Sequence, residues 1–217
     1  MKKLINNIKI FISGTKKMFK EFFHKKTCKK QIANVLSFTR LVLIIPVSIL
    51  ICLYLSNNNK TLLIITGILT LIGGITDFFD GKCARKFNAS SEYGKKLDQI
   101  ADKSFASILS LLLITIHPYF IIIFLMELLI IITNALYNLK FPDINNDSNI
   151  IGKLKQWPLF TLLFVGFLSR LDNTFLNITV ILFYLTIGMQ ILTILSYIGK
   201  HTKEIKKYIA KKIKGTK

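Results

Sequence analysis

The chain has 217 residues, a length that suits a single domain of ordinary size. Hydrophobic residues make up 52% of it, its mean hydropathy is +0.50, and its formal net charge is +19. An apolar body with basic ends is typical of a protein held in a membrane with an anionic surface. The same apolar body argues against a nucleic-acid-binding protein and against an ordinary soluble domain.

The first 30 residues form a basic segment that holds ten lysines. Apolar residues recur in it at roughly helical spacing, at Leu4, Ile8, Phe11, Met18, Phe19, Phe22 and Phe23. The pattern predicts an amphipathic helix over residues 1–30 in the headgroup layer, with a weak point at Ser13-Gly14. A disordered basic tail is the alternative. A signal peptide is disfavoured because no apolar core of the right length precedes a small-residue cleavage site.

Six apolar runs follow, each near the roughly 20 residues that a helix needs to cross a bilayer. They cover residues 32–55, 61–80, 95–117, 118–139, 151–169 and 175–198. The sequence therefore predicts an all-α integral membrane protein with six transmembrane helices. A polar loop is expected at 141–149, and the predicted organisation is a basic segment 1–30, a six-helix domain 31–199 and a basic tail 200–217. This tail is either a second interfacial helix or a fraying end.

The distribution of basic residues predicts the orientation of these helices. With six crossings, every lysine and arginine except Lys60 and Arg170 falls on one side of the membrane. Because cytoplasmic loops carry the excess of basic residues, that side is expected to be the cytoplasm. Both termini and the segment 77–102 are then cytoplasmic, in a multi-pass protein of the cell membrane.

Four aspartates stand where the second apolar run ends and the third begins. Asp77 and Asp80 are three residues apart, and Asp98 and Asp102 are four apart, so each pair projects from one helix face. If the two helices are antiparallel neighbours, the four carboxylates converge and require compensation, most simply by one or two divalent cations. Oxygen ligands favour Mg²⁺, Mn²⁺ or Ca²⁺. Solvated loop carboxylates balanced by nearby lysines are the alternative, which four acids at this spacing disfavour.

Small and basic residues between the aspartates fit a phosphate-bearing ligand. Gly81, Gly94 and Ala84 would leave room for a nucleotide. Arg85 could neutralise a phosphate oxygen. A pair of metal ions beside such a pocket is a known arrangement for phosphoryl transfer.

The whole segment reads D-x-x-D-G-x-x-A-R from Asp77, then eight residues, then G-x-x-x-D-x-x-x-D up to Asp102. It resembles the full signature of the CDP-alcohol phosphatidyltransferases. The resemblance extends to Asn34-x-x-Ser37-x-x-Arg40 and to Gly152-Lys153-Leu154-Lys155, which are similar to segments of the phosphatidylglycerophosphate synthase branch.

The resemblance implies a reaction and a set of roles. An acceptor hydroxyl attacks the β-phosphorus of a CDP-linked lipid, and CMP leaves. Asp77, Asp80 and Asp98 would ligate Mg²⁺ or Mn²⁺, two ions per site, and Asp102 would be both ligand and catalytic base. The CDP-lipid pocket would be formed by Asn34, Ser37, Gly81, Ala84, Arg85, Ser91 and Gly94. The resemblance also implies a homodimer that uses CDP-diacylglycerol among anionic membrane lipids.

The acceptor site differs from the branch pattern. Glu127 matches, but Met126 and Asn134 replace two arginines that are expected to bind the phosphate of glycerol 3-phosphate. Arg40, Lys153 and Lys155 remain as candidate acceptor-binding residues beside Glu127. Glycerol 3-phosphate is the first expectation, and serine, inositol or phosphatidylglycerol are the alternatives. A non-enzymatic transporter or scaffold is disfavoured because transporter acids are usually spread through the bundle.

Overall fold

Every regular element in the described part of the chain is helical. The computed structural model describes residues 2–24, 28–87, 91–140, 152 and 154–214. The helices in chain order are α1 (Lys2–Phe22), α2 (Cys28–Asn57), α3 (Lys60–Lys86), α4 (Glu92–Ile114), a short 3-10 helix (Pro118–Phe120), α5 (Ile121–Lys140), α6 (Gln156–Leu168) and α7 (Asn173–Lys214). The predicted all-α class is confirmed.

Four segments are long and apolar enough to cross a membrane, namely Gln31–Asn57, Lys60–Ala84, Pro118–Tyr137 and Asn173–Lys200. Large apolar side chains on them face outward, for example Ile45, Ile181 and Leu195. Apolar side chains in such numbers are exposed only where lipid is the solvent, so the chain is a membrane protein. α4 carries too many charges to qualify, and the 13 residues of α6 span only about 20 Å. The predicted count of six crossings therefore stays a prediction.

Several helix boundaries differ from the predicted ones. α1 continues through Ser13-Gly14 without a break. α3 runs on to Lys86, so its last turns hold the first half of the aspartate segment. α7 continues past residue 199 to Lys214 as one helix of 42 residues. The predicted loop at 141–149 lies outside the described residues, and the predicted domain limits stay predictions.

Contacts divide the chain into two units, Met1–Leu109 and Ser110–Lys217. In the first unit α2 packs along α3, and α1 packs on α2. α4 is held against α3 at Gly73, where an added Cβ would lie 2.2 Å from the ring of Phe105. This close approach needs a glycine, because any side chain would displace the buried ring. It also sets α4 beside the turn of α3 that carries Asp77.

The second unit is built on the packing of α6 against α7. Gly166 of α6 lies against the side chains of Leu113 and Phe120, with an added Cβ 3.0 Å from the nearer ring atom. One end of this unit is closed by a hydrogen bond of 2.6 Å between His117 and Ser169, both buried. This hydrogen bond pairs two buried polar side chains that lie just past the ends of α4 and α6.

Candidate active site

The four aspartates of the segment 77–102 lie together in the first unit. Asp77, Asp98 and Asp102 each offer an oxygen atom, and these atoms lie within 4.8 Å of one another. Asp80 is the most buried, with 6% of its side chain exposed, and Asp98 is the least, with 42%. The cluster therefore has a buried end at Asp80 and an open end at Asp98.

Arg40 of α2 lies at the centre of this cluster with a fully buried side chain. One terminal nitrogen donates to Asp77 Oδ1 at 2.7 Å and the other donates to Asp98 Oδ1 at 2.8 Å. The same guanidinium also contacts Asp80 and Asp102. A guanidinium presents five donors in a rigid fork, which suits it to join several carboxylates.

The family resemblance makes Arg40 a candidate acceptor-binding residue, whereas the contacts of its side chain are with the four aspartates. A single guanidinium compensates one of the four formal charges. Three negative charges therefore remain for other cations to balance, which is the electrostatic condition for a divalent metal ion.

Ser37 and Asn34 precede Arg40 on the same side of α2. Ser37 Oγ lies 2.9 Å from Asp80 Oδ2, to which it donates, and 3.1 Å from Ala33 O. Asn34 donates to Gln31 Oε1 at 2.6 Å. The spacing of three residues per step brings Asn34, Ser37 and Arg40 to one helix face, directed at α3 and α4. The structure thus joins these residues to the aspartate cluster.

The two motif glycines have different surroundings. An added Cβ on Gly94 would lie 2.4 Å from Asn34 Oδ1, so this glycine is required by the contact between α4 and α2. An added Cβ on Gly81 would meet nothing within 4 Å, so the space beside α3 at this point is open to a ligand. Of the two glycines expected to leave room for a nucleotide, only Gly81 borders open space among the described residues.

The other expected pocket residues lie near the end of α3 and the start of α4. Ser91 Oγ accepts a hydrogen bond of 3.0 Å from the N–H of Gly94, which makes it the N-cap of α4. Ala84 is half-buried in the last turns of α3. The side chain of Arg85 lies outside the described part of the structure, as does that of Lys153.

A second buried polar cluster lies in the second unit. Lys155 Nζ contacts Glu127 Oε1, and Gln190 Nε2 donates to the same oxygen at 2.9 Å. All three side chains are buried. Asn134 donates to Ile130 O at 2.9 Å. Two of the expected acceptor residues, Glu127 and Lys155, are therefore ion-paired with each other.

Two oxygen atoms of this second cluster have no hydrogen-bond partner among the described residues. They are Asn134 Oδ1 and Gln190 Oε1, and both are buried. A buried acceptor without a donor costs about 1–3 kcal/mol, so such atoms indicate a ligand or water in the functional state. Each of the two oxygens can accept a hydrogen bond from a hydroxyl group or from water.

Sequence reasoning missed Gln190. Its signal is a polar stripe within an apolar helix, because Thr186, Gln190 and Thr193 recur at intervals of four and three residues and are all fully buried. Buried polar residues in a membrane-spanning helix face the bundle interior and mark functional positions. The stripe is visible in the sequence, but the hydrogen bond between Gln190 and Glu127 is not.

The carboxylate cluster fits a divalent cation. Four aspartate oxygens, three of them mutually within 4.8 Å, form an oxygen-only donor set of the kind that hard cations prefer. The open end at Asp98 gives a route for an ion and its water ligands. The fold and site together define an all-helical membrane protein with a carboxylate site suited to a divalent metal.

The sequence matches the CDP-alcohol phosphatidyltransferase family over residues 30–202, so the chain belongs to that family. Similar proteins include one from Rickettsia typhi, 38% identical over 85 residues, which cover 39% of this chain and 46% of that protein. Another is from Aquifex aeolicus, 31% identical over 153 residues, covering 68% and 82%. A third is from Bacillus subtilis, 32% identical over 92 residues, covering 42% and 48%.

Each of these three relatives is named CDP-diacylglycerol--glycerol-3-phosphate 3-phosphatidyltransferase. The chain spans less than half of the length of the Rickettsia typhi and Bacillus subtilis proteins that it matches. The matched family range contains both the carboxylate cluster and the cluster around Glu127.

Proposed function

We propose that this protein transfers a phosphatidyl group from CDP-diacylglycerol to glycerol 3-phosphate, with release of CMP. The observation that supports it most is the convergence of all four motif aspartates around one buried arginine. Carboxylates gathered in this way suit divalent metal ions, and such ions can in turn bind the oxygens of a diphosphate. The open space beside Gly81 lies on the same helix as Asp77 and Asp80.

In the proposed reaction the acceptor hydroxyl oxygen attacks the β-phosphorus of the donor. The new bond joins that oxygen to phosphorus, and the bond from phosphorus to the CMP oxygen breaks. Asp102 receives the hydroxyl proton, because a carboxylate beside the reacting oxygen is a suitable general base. Its side chain is 15% exposed, and one of its oxygens lies within 4.8 Å of an oxygen of Asp98 at the open end of the cluster.

The other residues of the cluster fix the positions of the aspartate carboxylates. Arg40 and Ser37 hold Asp80 from two directions, so its carboxylate has little freedom to rotate. Asp77, Asp80, Asp98 and Asp102 would hold two Mg²⁺ or Mn²⁺ ions, which supply positive charge to the diphosphate as CMP departs. Arg85 and Gly81 would contact the diphosphate from α3.

The direct test is a CMP-release assay on the purified protein with CDP-diacylglycerol, Mg²⁺ or Mn²⁺, and a panel of acceptors. We expect CMP only when both metal and acceptor are present, with glycerol 3-phosphate the best acceptor in the panel. EDTA should stop the release, because the diphosphate charge is then uncompensated. Absence of CMP with every metal and acceptor would exclude the transferase and favour a non-enzymatic membrane protein.

Serine, inositol and phosphatidylglycerol form the alternative acceptor set, which one feature of the second cluster favours. The charge of Lys155 is already paired with Glu127, and Asn134 stands where an arginine was expected. A dianionic phosphate would find fewer free cations there than the family pattern implies. The panel therefore includes all four acceptors.

A Lys155→Gln variant tests whether this lysine binds the acceptor phosphate. Charged hydrogen bonds contribute about 1.5–3 kcal/mol. We therefore expect the KM for glycerol 3-phosphate to rise about tenfold or more, while the KM for CDP-diacylglycerol stays unchanged. Lys60→Gln is the matched control, because Lys60 is an exposed lysine at the start of α3. An unchanged KM for glycerol 3-phosphate in Lys155→Gln would remove this residue from the acceptor site.

The membrane placement is proposed on the charge pattern. An excess of lysines and arginines beside the aspartate segment supports a cytoplasmic active site, cytoplasmic termini and residence in the cell membrane. The homodimer rests on the family alone.

A further inference from the structure

Tyr93 joins α1 to the first turn of α4. Its hydroxyl lies 2.9 Å from Thr15 Oγ1, and its ring centroid lies 5.7 Å from that of Phe11. The ring also lies directly on Gly14, where an added Cβ would be 2.3 Å from its nearest atom. Three residues on one face of α1 thus hold a single side chain that stands 78 residues further along the chain.

Tyr93 occupies a position next to the reaction machinery. Tyr93 directly precedes Gly94 of the motif and follows the N-cap residue Ser91. Asp98 stands about one and a half helical turns further along α4. Because a helix is rigid over such a distance, a shift of Tyr93 moves the start of α4 and the carboxylate that it carries. The contact with α1 therefore bears on the position of Asp98.

A second connection leads from α1 to the same point. Glu21 Oε2 accepts a hydrogen bond of 2.6 Å from Gln31 Nε2. Gln31 Oε1 in turn accepts one of 2.6 Å from Asn34, and Asn34 Oδ1 lies against Gly94. Two independent sets of contacts from α1 thus end at the first turn of α4.

The outer surface of α1 has the chemistry of a membrane-surface helix. Met18 is buried against the protein, whereas Ile12 and, directly after the helix, Phe23 are exposed, Phe23 by 82%. Phe19 is partly exposed beside them, with its ring edge-on to Phe38. Lys16, Lys17 and Lys20 are exposed beside that apolar stripe. Exposed aromatic and aliphatic side chains beside lysines match a bilayer surface that contains anionic phospholipid.

The location of α1 agrees with that occupant. α1 ends at Phe22, and the apolar part of α2 begins at Gln31. The helix therefore lies close to the end of a membrane-spanning segment, where lipid headgroups are at hand. A soluble partner would have to compete with headgroups for this surface.

We propose that α1 is an anionic-lipid-dependent clamp on the start of α4, and that Tyr93 is the positioning residue through which it acts. The exposed face of α1 binds anionic phospholipid, which keeps α1 in place. The docked face holds Tyr93 directly and Asn34 through Gln31, and so fixes the first turn of α4 and, with it, the carboxylate of Asp98. The consequence for catalysis rests on the proposed transferase function, but the coupling between α1 and α4 does not.

Gly14→Ala tests the docked face. Alanine favours a helix more than glycine does, so α1 itself is not weakened. Its Cβ would collide with the Tyr93 ring, and we expect kcat for CMP release to fall about tenfold to a hundredfold, the scale of a 1 Å misplacement. Gly199→Ala is the matched control, because a Cβ there meets nothing within 4 Å.

Tyr93 variants separate positioning from simple loss of structure. Tyr93→Phe keeps the ring contacts and loses only the hydrogen bond to Thr15, so most of the activity should remain. Tyr93→Ala should lower kcat like Gly14→Ala, and the double variant should be no worse than either alone, because both remove one contact. Additive losses, or equal activity in Tyr93→Ala and wild type, would overturn the positioning role.

Hydrogen exchange gives a readout that does not need catalysis. Exchange of α1 and of residues 92–96 would be measured in nanodiscs of phosphatidylcholine with and without phosphatidylserine. We expect phosphatidylserine to slow exchange in both segments of the wild type. In Tyr93→Ala it should slow exchange in α1 alone, and the double variant K16Q/K20Q should respond in neither segment; Lys17 is kept because it is ion-paired with Glu21 at 3.7 Å.

Each other outcome contradicts a stated part of the proposal. Equal protection of residues 92–96 in Tyr93→Ala and wild type would overturn the coupling. Protection that follows protein concentration instead of phosphatidylserine would mean that a second copy covers α1, and would overturn the lipid assignment. Coupling without CMP release would reject the transferase and keep the clamp. CMP release without coupling would reject the clamp and keep the transferase.

Discussion

Asp102→Asn is expected to lower CMP release by about 10²–10⁴-fold, the usual contribution of a general base. The amide oxygen can still face a cation, but the side chain can no longer accept the acceptor's proton. The variant should therefore keep much of its affinity for Mn²⁺ while losing kcat. Steady-state kinetics with CDP-diacylglycerol, combined with a Mn²⁺ titration followed by thermal unfolding, separates the two effects.

Asp172→Asn is the control for this substitution. Asp172 precedes α7, and its Oδ2 accepts a hydrogen bond of 3.3 Å from the N–H of Thr174. Asparagine caps a helix about as well as aspartate, so this variant should behave like the wild type. If Asp102→Asn kept more than about a tenth of the wild-type kcat, another group would have to accept the proton, and the assigned role of Asp102 would be wrong.

Arg40→Gln is expected to make the stability of the protein depend on a divalent metal. Without the guanidinium, four carboxylates face one another with no shared cation from the protein. Removing one partner of a buried ion pair costs about 3–5 kcal/mol, and the lower end applies because Asp98 is 42% exposed. Thermal unfolding in detergent with EDTA should show a lower Tm than the wild type.

Addition of Mn²⁺ or Mg²⁺ should restore most of that Tm, since an ion that binds only the folded cluster stabilises it by mass action. Arg40→Lys keeps the charge but not the fork, so its Tm should lie between those of wild type and Arg40→Gln. Arg170→Gln is the control, because Arg170 is exposed and donates to Ile116 O. Equal loss of Tm with and without metal would mean that the four carboxylates do not share a metal site.

Much of the fold could be predicted because a membrane-spanning helix is recognised from the composition of one continuous stretch of sequence. The apolar runs at 32–55, 61–80, 118–139 and 175–198 correspond to α2, α3, α5 and α7. A bilayer requires about 20 apolar residues in succession, and that requirement is independent of tertiary contacts. The ends of the helices were less predictable, since α3 and α7 continue as charged helices beyond their apolar parts.

The candidate site was predictable only in part, and Arg40 is the clearest example. Sequence spacing predicts that Asp77 and Asp80 share a helix face, as do Asp98 and Asp102. No local pattern indicates that an arginine 37 to 62 residues earlier lies between the two pairs. The family resemblance singles out Arg40 within Asn34-x-x-Ser37-x-x-Arg40, but it suggests contact with the acceptor and not with the aspartates.

The composition and spacing of the residues are sufficient to establish a helical membrane protein, its family signature and the four carboxylates, because these depend on distances of a few turns along one helix. Contacts between helices decided the rest. They place Arg40 among the aspartates, separate the packed Gly94 from the open Gly81, pair Glu127 with Gln190, and set Tyr93 on Gly14. Such pairings depend on how helices far apart in the chain pack, which local periodicity does not encode.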